Sequence, residues 1–333
     1  MDRELRISVI GSGSWGTALT KILTYNVSKV CWYVHNEVAI EHIKDTSRNL
    51  NYLSDVEFDT DRLILTNDIN EAVAYGNCLV LVTPSAFLSS ELSKLTVSLE
   101  DKTIFSAIKG IEPNSGLIVG EYLHKFYNVP YSNIGVIAGP CHAEEVALER
   151  LSYLTIACID KQKAKIFAEA MTTYFVKTKV SDDVIGIEYA AVLKNIYAIA
   201  AGIAHGLGYG DNFQSVLMSN SIREMRRYIK RIHKIKRNIN NSAYLGDLLV
   251  TGYSLFSRNR TFGSMIGKGY TVKSTMMEMN MVAEGYYAVK SAYKINNSHK
   301  KKSYTPILDA VYQILYENRR AKKVFAELVN HLD

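Results

Sequence analysis

The first half of this 333-residue chain alternates short apolar runs with amphipathic stretches, and that alternation admits few architectures. Apolar, β-rich runs occur at 5–10, 30–34, 78–83, 103–108, 134–138 and 154–158, with helix-period segments such as 15–25, 85–95 and 117–127 between them. Strands that are apolar nearly throughout must be covered on both faces, which calls for a parallel sheet flanked by helices. Right-handed crossovers then give a doubly wound α/β domain.

After about Val180 the pattern changes. Segments 185–204, 213–236, 272–293, 305–317 and 320–332 carry helical periodicity. Thr305-Pro306 reads as an N-cap followed by proline at the first helical position. A chain of this length accommodates two domains. The boundary falls near Ser181-Asp182-Asp183, predicting a dinucleotide-binding domain over 1–182 and an all-α substrate and catalytic domain over 183–333. Internal repeats and low-complexity tracts are absent.

Directly after the first predicted strand stands Gly11-Ser12-Gly13-Ser14-Trp15-Gly16, a G-x-G-x-x-G turn opening a helix. The first glycine makes the tight turn, the second lets a pyrophosphate approach the backbone, and the third permits close helix–strand packing. The helix N-terminus adds N–H groups and a positive dipole. A packing turn can look the same in isolation, but the strand–turn–helix context is the one that dinucleotide binding requires. The N-terminal domain is therefore predicted to be Rossmann-type, with NAD(P) as cofactor.

The second strand should end at a ribose selector, an acidic residue for NAD or basic residues for NADP. The chain reads Val34-His35-Asn36-Glu37, with no carboxylate at the strand end. His35 can meet a phosphate, which leans towards NADPH over NADH; a surface histidine in a loop is the competing explanation.

Composition sets outer limits. With 47% hydrophobic and 22% charged residues the chain is an ordinary globular protein. Thirty-nine lysines and arginines against 33 acidic residues give a net charge of +6. That bias suits a small anionic ligand without implying nucleic acid. Cys31, Cys78, Cys141 and Cys158 form no C-x-x-C pair and read as reduced, partly buried thiols. The N-terminus lacks the apolar run of a signal peptide, and no stretch of about 18 uninterrupted apolar residues exists. A cytoplasmic protein with no membrane span and no metal site is expected.

The most apolar stretch, 190–204, is interrupted by Lys194 and Asn195. A helix that is hydrophobic all round is normally buried, and lysine is almost never buried without a partner. Lys194 therefore points to an anion and a functional cavity, and burial would lower its pKa towards that of a useful acid or base. The alternative is a lysine reaching water from a helix edge. Asn195 beside it can position a hydroxyl or carbonyl.

Ser257-Arg258-Asn259-Arg260, with Asp247 and Thr251 before it, is a second signal, because arginine forks suit phosphate. Asp247 is a candidate partner for Lys194. Taken alone, the Arg-Asn-Arg stretch reads more readily as a solvated loop. A third signal, 138–145, lies at the carboxyl end of a strand, where open α/β sheets bind ligands. Its Cys141-His142 pair suits a loop entering a helix better than a nucleophile with its base, since catalytic pairs are seldom sequence neighbours. From 223 to 237, eight lysines and arginines accompany Met225, Ile229, Ile232 and Ile235. Nucleic-acid or membrane-surface binding would suit them, but a charged outer helix face is simpler. His299-Lys300-Lys301-Lys302 reads as a loop.

Taken together, these motifs resemble the NAD(P)-dependent glycerol-3-phosphate dehydrogenases, particularly the bacterial branch. The likeness runs almost end to end, through the 11–17 turn, Pro84-Ser85, Lys109-Gly110, Gly139-Pro140, Leu193-Lys194-Asn195, Gly246-Asp247-Leu248, 257–260 and Glu284-Gly285-Tyr286. The resemblance implies interconversion of sn-glycerol 3-phosphate and dihydroxyacetone phosphate, supplying glycerol 3-phosphate for phospholipid synthesis. It makes Lys194 the group that exchanges the proton of the C2 hydroxyl and Lys109 a polarising, substrate-binding lysine. Asp247 joins them as a catalytic candidate. Gly139, Cys141, Asn195, Asp247, Thr251, Ser257, Arg258 and Asn259 complete the candidate substrate site. Cofactor contacts are assigned to Gly11, Gly13, Ser14, Trp15, Gly16, His35, Lys109, Ala143, Arg258, Val282 and Glu284. Cys141 replaces a frequent serine or threonine, and Asn36 a frequent basic residue. Reaction at a water-excluding cleft between domains and a homodimer are open expectations.

Two rivals remain. Another two-domain dehydrogenase acting on a 3-hydroxy acid or sugar-phosphate acid would often carry an asparagine one helical turn after the lysine, where this chain has Ala198. A non-catalytic nucleotide sensor would have less use for Lys109, Lys194, Asp247 and Arg258 together.

Overall fold

The computed structural model describes residues 4–279 and 283–333. They form two compact units: Met1–Ile108 with Val119–Val184, and Lys109–Ile118 with Ile185–Asp333. Lys109–Ile118, which the sequence groups with the sheet, thus belongs with the helices.

The first unit contains eight strands: β1 (Ile7–Ile10), β2 (Val30–Tyr33), β3 (Leu63–Thr66), β4 (Cys78–Leu81), β5 (Thr103–Ser106), β6 (Ile134–Ala138), β7 (Ser152–Cys158) and β8 (Val176–Ser181). Its helices are α1 (Ser14–Leu23), α2 (Glu37–Thr46), α3 (Ile69–Tyr75), α4 (Ser85–Leu92), α5 (Val119–Tyr127), α6 (Ala143–Ala147) and α7 (Lys161–Met171). The sheet order is β3-β2-β1-β4-β5-β6-β7-β8. Strands β1 to β6 are parallel, β7 runs antiparallel to β6, and β8 runs parallel to β7. The first six strands follow the doubly wound 3-2-1-4-5-6 order, whose direction reverses between β1 and β4.

Every residue of β1, β2, β4 and β6 is buried, as their apolar sequences require. On β5, Phe105 stacks on Phe167 of α7 with ring centroids 4.1 Å apart. Gly135 on β6 makes room for that ring, since a Cβ there would lie 2.3 Å from Phe105. Fully burying one such phenylalanine contributes roughly 1.5–3 kcal/mol. Strands β3 and β8 occupy the two sheet edges; β3, Leu63-Ile64-Leu65-Thr66, is a short apolar run that the sequence reading passed over, whereas β8 is not an apolar run at all. Val-Lys-Thr-Lys-Val-Ser of β8 buries only its first residue, and lysines on an edge also discourage unwanted strand pairing.

The second unit contains α8 (Val184–Gly206), α9 (Asp211–Ile232), α10 (Asp247–Tyr253), α11 (Arg258–Gly267), α12 (Val272–Glu278), α13 (Glu284–Ser298), α14 (Pro306–Tyr316) and α15 (Ala321–Leu328). By length and composition α8 could cross a membrane, but 94% of its most apolar window is buried inside the protein. It is the core helix of this unit. Two helices, α12 and α13, stand where periodicity predicts one over 272–293. Helices α10 and α11 escape a periodicity search, the first being short and the second carrying Arg258, Arg260, Gly263 and Gly267.

Helices α8 and α11 meet through glycine. A Cβ on Gly202 would lie 2.0 Å from the Arg260 carbonyl oxygen, and one on Gly263 would lie 2.1 Å from that of Ile199. Gly206 and Gly267 repeat the arrangement one turn further, at 2.2 Å from Ser264 O and 2.4 Å from Ile203 O. The backbones therefore touch where any side chain would hold them apart.

Thr305 occupies the predicted cap position before Pro306, but its side chain makes no cap hydrogen bond. Glu224 of α9 takes that role. Its two carboxyl oxygens accept from Ile307 N and Leu308 N, each at 2.9 Å. Burial pushes Glu224 up to about 8, opposed by those same two N–H groups.

Candidate active site

The phosphate-binding turn is assembled by the first unit alone. Gly11 leaves β1 with φ +128°, a conformation that L side chains rarely adopt. A Cβ on Gly16 would lie 2.3 Å from the Gly11 carbonyl oxygen, so helix α1 packs directly against the turn. Gly13, by contrast, faces open space, with nothing within 4 Å of a Cβ placed there. Gly13 is also the N-cap of α1, without a side-chain cap. An open glycine at a helix N-terminus fits the approach of a dinucleotide pyrophosphate.

Three side chains hold the turn in shape. Trp32 Nε1 donates to Gly11 O at 2.9 Å, and Thr17 Oγ1 donates to Gly13 O at 3.0 Å. Buried Asn49 donates from Nδ2 to Ser12 O at 3.1 Å and to Thr17 Oγ1 at 2.8 Å. Nothing in the spacing of the sequence singles out Asn49. The turn lies at the carboxyl end of β1, beside the reversal in strand order.

The other candidate residues of this unit lie at strand ends. His35 is exposed just beyond β2, while Asn36 caps α2 by accepting from Val38 N at 2.9 Å. Gly139, after β6, has φ +123°, and a Cβ there would strike Tyr153 O at 2.5 Å. Cys141 follows, buried, and Ala143 opens α6 behind its N-cap His142.

The second unit brings most of the remaining candidates together. Lys194 and Asp247 form a buried ion pair, Lys194 Nζ donating to Asp247 Oδ1. Burial lowers the Lys194 pKa to about 7; the positive charge of Lys109 acts in the same direction and Asp247 against it. Asn195, next on α8, donates from Nδ2 to the Lys109 carbonyl at 2.9 Å. Lys109–Ile118 is thereby tied to the helix that carries Lys194. Thr251 Oγ1 donates to Asp247 O at 2.6 Å, one turn back along α10.

On α11, Ser257 is the N-cap, its hydroxyl accepting from Arg260 N at 3.3 Å. Arg258 is the first residue of that helix. Asn259 Oδ1 accepts from Gly285 N at 2.9 Å, fixing the start of α13 where Glu284 stands. A Cβ on Gly285 would sit 2.7 Å from Asn195 O, so the start of α13 also abuts α8. Val282 lies outside the described residues. The glycine seam that aligns α8 with α11 was available in the sequence as paired i, i+4 glycines, Gly202 with Gly206 and Gly263 with Gly267.

A dinucleotide turn at the reversal of a parallel sheet, in a chain whose helical unit buries a lysine of lowered pKa, defines the class: nicotinamide-nucleotide-linked dehydrogenases. The particular family follows from likeness to known proteins. The chain belongs to the NAD-dependent glycerol-3-phosphate dehydrogenase family, residues 6–164 matching its N-terminus and 183–326 its C-terminus. It is 34% identical to glycerol-3-phosphate dehydrogenase [NAD(P)+] of Oceanobacillus iheyensis, over 98% of this chain and 94% of that protein. The protein of that name from Bacillus subtilis is 32% identical, over 97% and 94%. Glycerol-3-phosphate dehydrogenase from Coxiella burnetii shares the fold with a TM-score of 0.89 and 26% identity, over 98% of this chain and 99% of that one.

Proposed function

We propose that this protein interconverts sn-glycerol 3-phosphate and dihydroxyacetone phosphate, using NAD(P), and so supplies glycerol 3-phosphate for phospholipid synthesis. The observation that carries the chemistry is Lys194, an amine buried on a core helix with its pKa lowered to about 7. At that value it exchanges protons near neutral pH, as a general acid or base should. A nicotinamide held by the sheet unit would supply the hydride chemistry at C2, taking up or returning the electron pair of the C2–H bond.

In the oxidative direction, neutral Lys194 Nζ takes the proton of the C2 hydroxyl as the C2–H electron pair leaves and the C2–O bond becomes a carbonyl. In the reductive direction the ammonium gives that proton back. Asp247 holds Nζ in place and offsets its charge whenever it is protonated. Lys109, anchored through its carbonyl by Asn195, supplies a second positive charge to polarise the substrate oxygen. Gly139, Cys141, Thr251, Ser257, Arg258 and Asn259 are assigned to the substrate. Of these, Arg258 suits the phosphate best, because a guanidinium meets its oxygens two at a time.

The sheet unit is assigned to the dinucleotide. Gly11, Gly13, Ser14, Trp15 and Gly16 would form the turn that holds its pyrophosphate, with Ala143, Lys109, Arg258, Val282 and Glu284 as further assigned contacts. We assign a weak preference for NADPH, because the end of β2 offers exposed His35 and no carboxylate. Four buried, free cysteines suit a reducing compartment, which supports a cytoplasmic location. A homodimer is the proposed assembly, on family likeness alone.

The deciding experiment measures initial rates of dihydroxyacetone phosphate reduction with NADH and NADPH side by side, together with a panel of hydroxy acids in the oxidative direction. Turnover of the triose phosphate with either nucleotide, faster with NADPH, is expected. Oxidation of a hydroxy acid with no reaction of glycerol 3-phosphate would overturn the reading.

A further inference from the structure

We propose that the helical unit carries a docking surface for an anionic phospholipid membrane face, built from the C-terminal half of α9 and the loop that follows α13. Segments 226–237 and 290–302 contain twelve lysines and arginines and no acidic residue. The rest of the chain then holds 27 cations against 33 carboxylates, a net charge of −6. The positive charge of this protein is therefore concentrated rather than spread, and such asymmetry is the electrostatic footprint of a polyanionic partner.

The structure makes one surface of the two segments. Tyr228 of α9 donates from its hydroxyl to Ala292 O of α13 at 3.0 Å. Arg227 Nε donates to Tyr304 O at 3.2 Å, and Ser303 Oγ donates to Arg227 O at 3.4 Å. The Lys300-Lys301-Lys302 loop is thereby held beside the basic end of α9. Local carboxylates offset only its margin: Glu224 is buried under α14 and Asp333 is engaged by Arg223, both also within reach of Arg227, while Asp309, hydrogen-bonded by Thr305, acts on Lys302. Among the described residues, Lys230, Arg231, Lys234 and Lys236 are exposed and have no ion-pair partner. Like charges left facing one another repel, and an anionic surface relieves that repulsion.

Two details favour lipid over nucleic acid. Ile235 is 40% exposed between exposed Lys234 and Lys236, an apolar side chain among cations of the kind that enters the headgroup boundary. The exposed ring of Tyr304 is covered by the Arg227 guanidinium, 5.5 Å from its centroid, so it offers bases no stacking platform. This inference draws only on the surface of the helical unit and is independent of the reaction proposed above.

The test is co-sedimentation of the full-length protein with extruded vesicles of phosphatidylglycerol mixed with phosphatidylcholine, or of phosphatidylcholine alone, at low and high salt. Binding to the anionic vesicles only, weakened by salt, is expected. The triple variant Lys230→Glu/Lys234→Glu/Lys236→Glu should lower the bound fraction about tenfold or more while triose phosphate reduction stays at the parent rate. Lys300→Gln/Lys301→Gln/Lys302→Gln, in a loop where helix stability is not at stake, should give a smaller loss in the same direction. Equal binding to neutral vesicles, unchanged binding by both variants, or tighter retention on a DNA duplex than on anionic vesicles at the same salt would each overturn the proposal.

Discussion

Lys194 and Asp247 form an ion pair almost wholly withdrawn from water, with side-chain exposures of 5% and 1%. A buried pair of this kind is costly to break and less costly to replace, because removing one partner strands the charge of the other. Lys194→Met should therefore lose stability by about 3–5 kcal/mol and lower kcat by roughly 10²-fold or more. The double variant Lys194→Met/Asp247→Leu should recover most of the stability and none of the turnover. Urea melts beside steady-state rates check both, and a single variant that keeps its kcat would remove Lys194 from the chemistry.

The two reaction directions should depend on pH with opposite sign. With its pKa lowered from 10.5 to about 7, Lys194 is neutral above pH 7 and charged below it. Oxidation needs the neutral amine, so its kcat should climb through about pH 7; reduction needs the ammonium, so its kcat should fall over the same interval. Stability follows the sign of the shift. Between about 7 and 10.5 the folded protein binds fewer protons than the unfolded chain, so burial of this lysine destabilises most below pH 7 and progressively less as pH rises. Parallel pH profiles in both directions would expose the error if the two limbs run the same way.

Asn195→Ala removes the donor that holds the Lys109 carbonyl. Loss of one such bond should cost about 1 kcal/mol of stability. It should also lower kcat/KM for dihydroxyacetone phosphate about tenfold, since misplacement of a positioned group degrades the geometry of reaction. Nucleotide affinity, measured by fluorescence titration, should fall by less than kcat/KM, because Lys109 is one of several assigned nucleotide contacts and the glycine turn is untouched. A parent-like kcat/KM would show that Lys109 needs no such anchor.

Gly263→Ala should destabilise by about 1–3 kcal/mol, because the new Cβ would lie 2.1 Å from the Ile199 carbonyl oxygen and backbone cannot swing aside. Gly210→Ala is the control, with nothing within 4 Å of its Cβ. Thermal melts of the two variants should separate clearly, and equal melting temperatures would mean that the α8–α11 contact is looser than described.

What could be read ahead of the structure tracks how local each cause is. Buried central strands announce themselves as continuous apolar runs, so β1, β2, β4, β5, β6 and β7 were legible; the half-polar edge strand β8 was not, and β3 was passed over although Leu63-Ile64-Leu65 is apolar. A lysine inside an apolar helix is a local contradiction, and Lys194 is indeed buried. Its ion pair with Asp247 joins residues 53 positions apart, and the sequence offered Asp247 as a candidate partner without being able to place the two together. The cap of α14 shows the limit most clearly. Thr305 stands in the expected place, yet Glu224 from another helix does the work, and no rule of spacing reaches that far along the chain. Asn49 and the attachment of Lys109–Ile118 to the helical unit were hidden for the same reason.

The excursion of Lys109–Ile118 has a practical corollary for anyone dissecting this protein. A gene cut at the apparent boundary after residue 182 would yield a helical fragment missing a piece of its own framework: Asn195 would lose the carbonyl it grips, and Lys194 the neighbouring cation that helps to lower its pKa. The helical unit is discontinuous in the gene, so an autonomous version of it would have to carry those ten residues back on an engineered bridge.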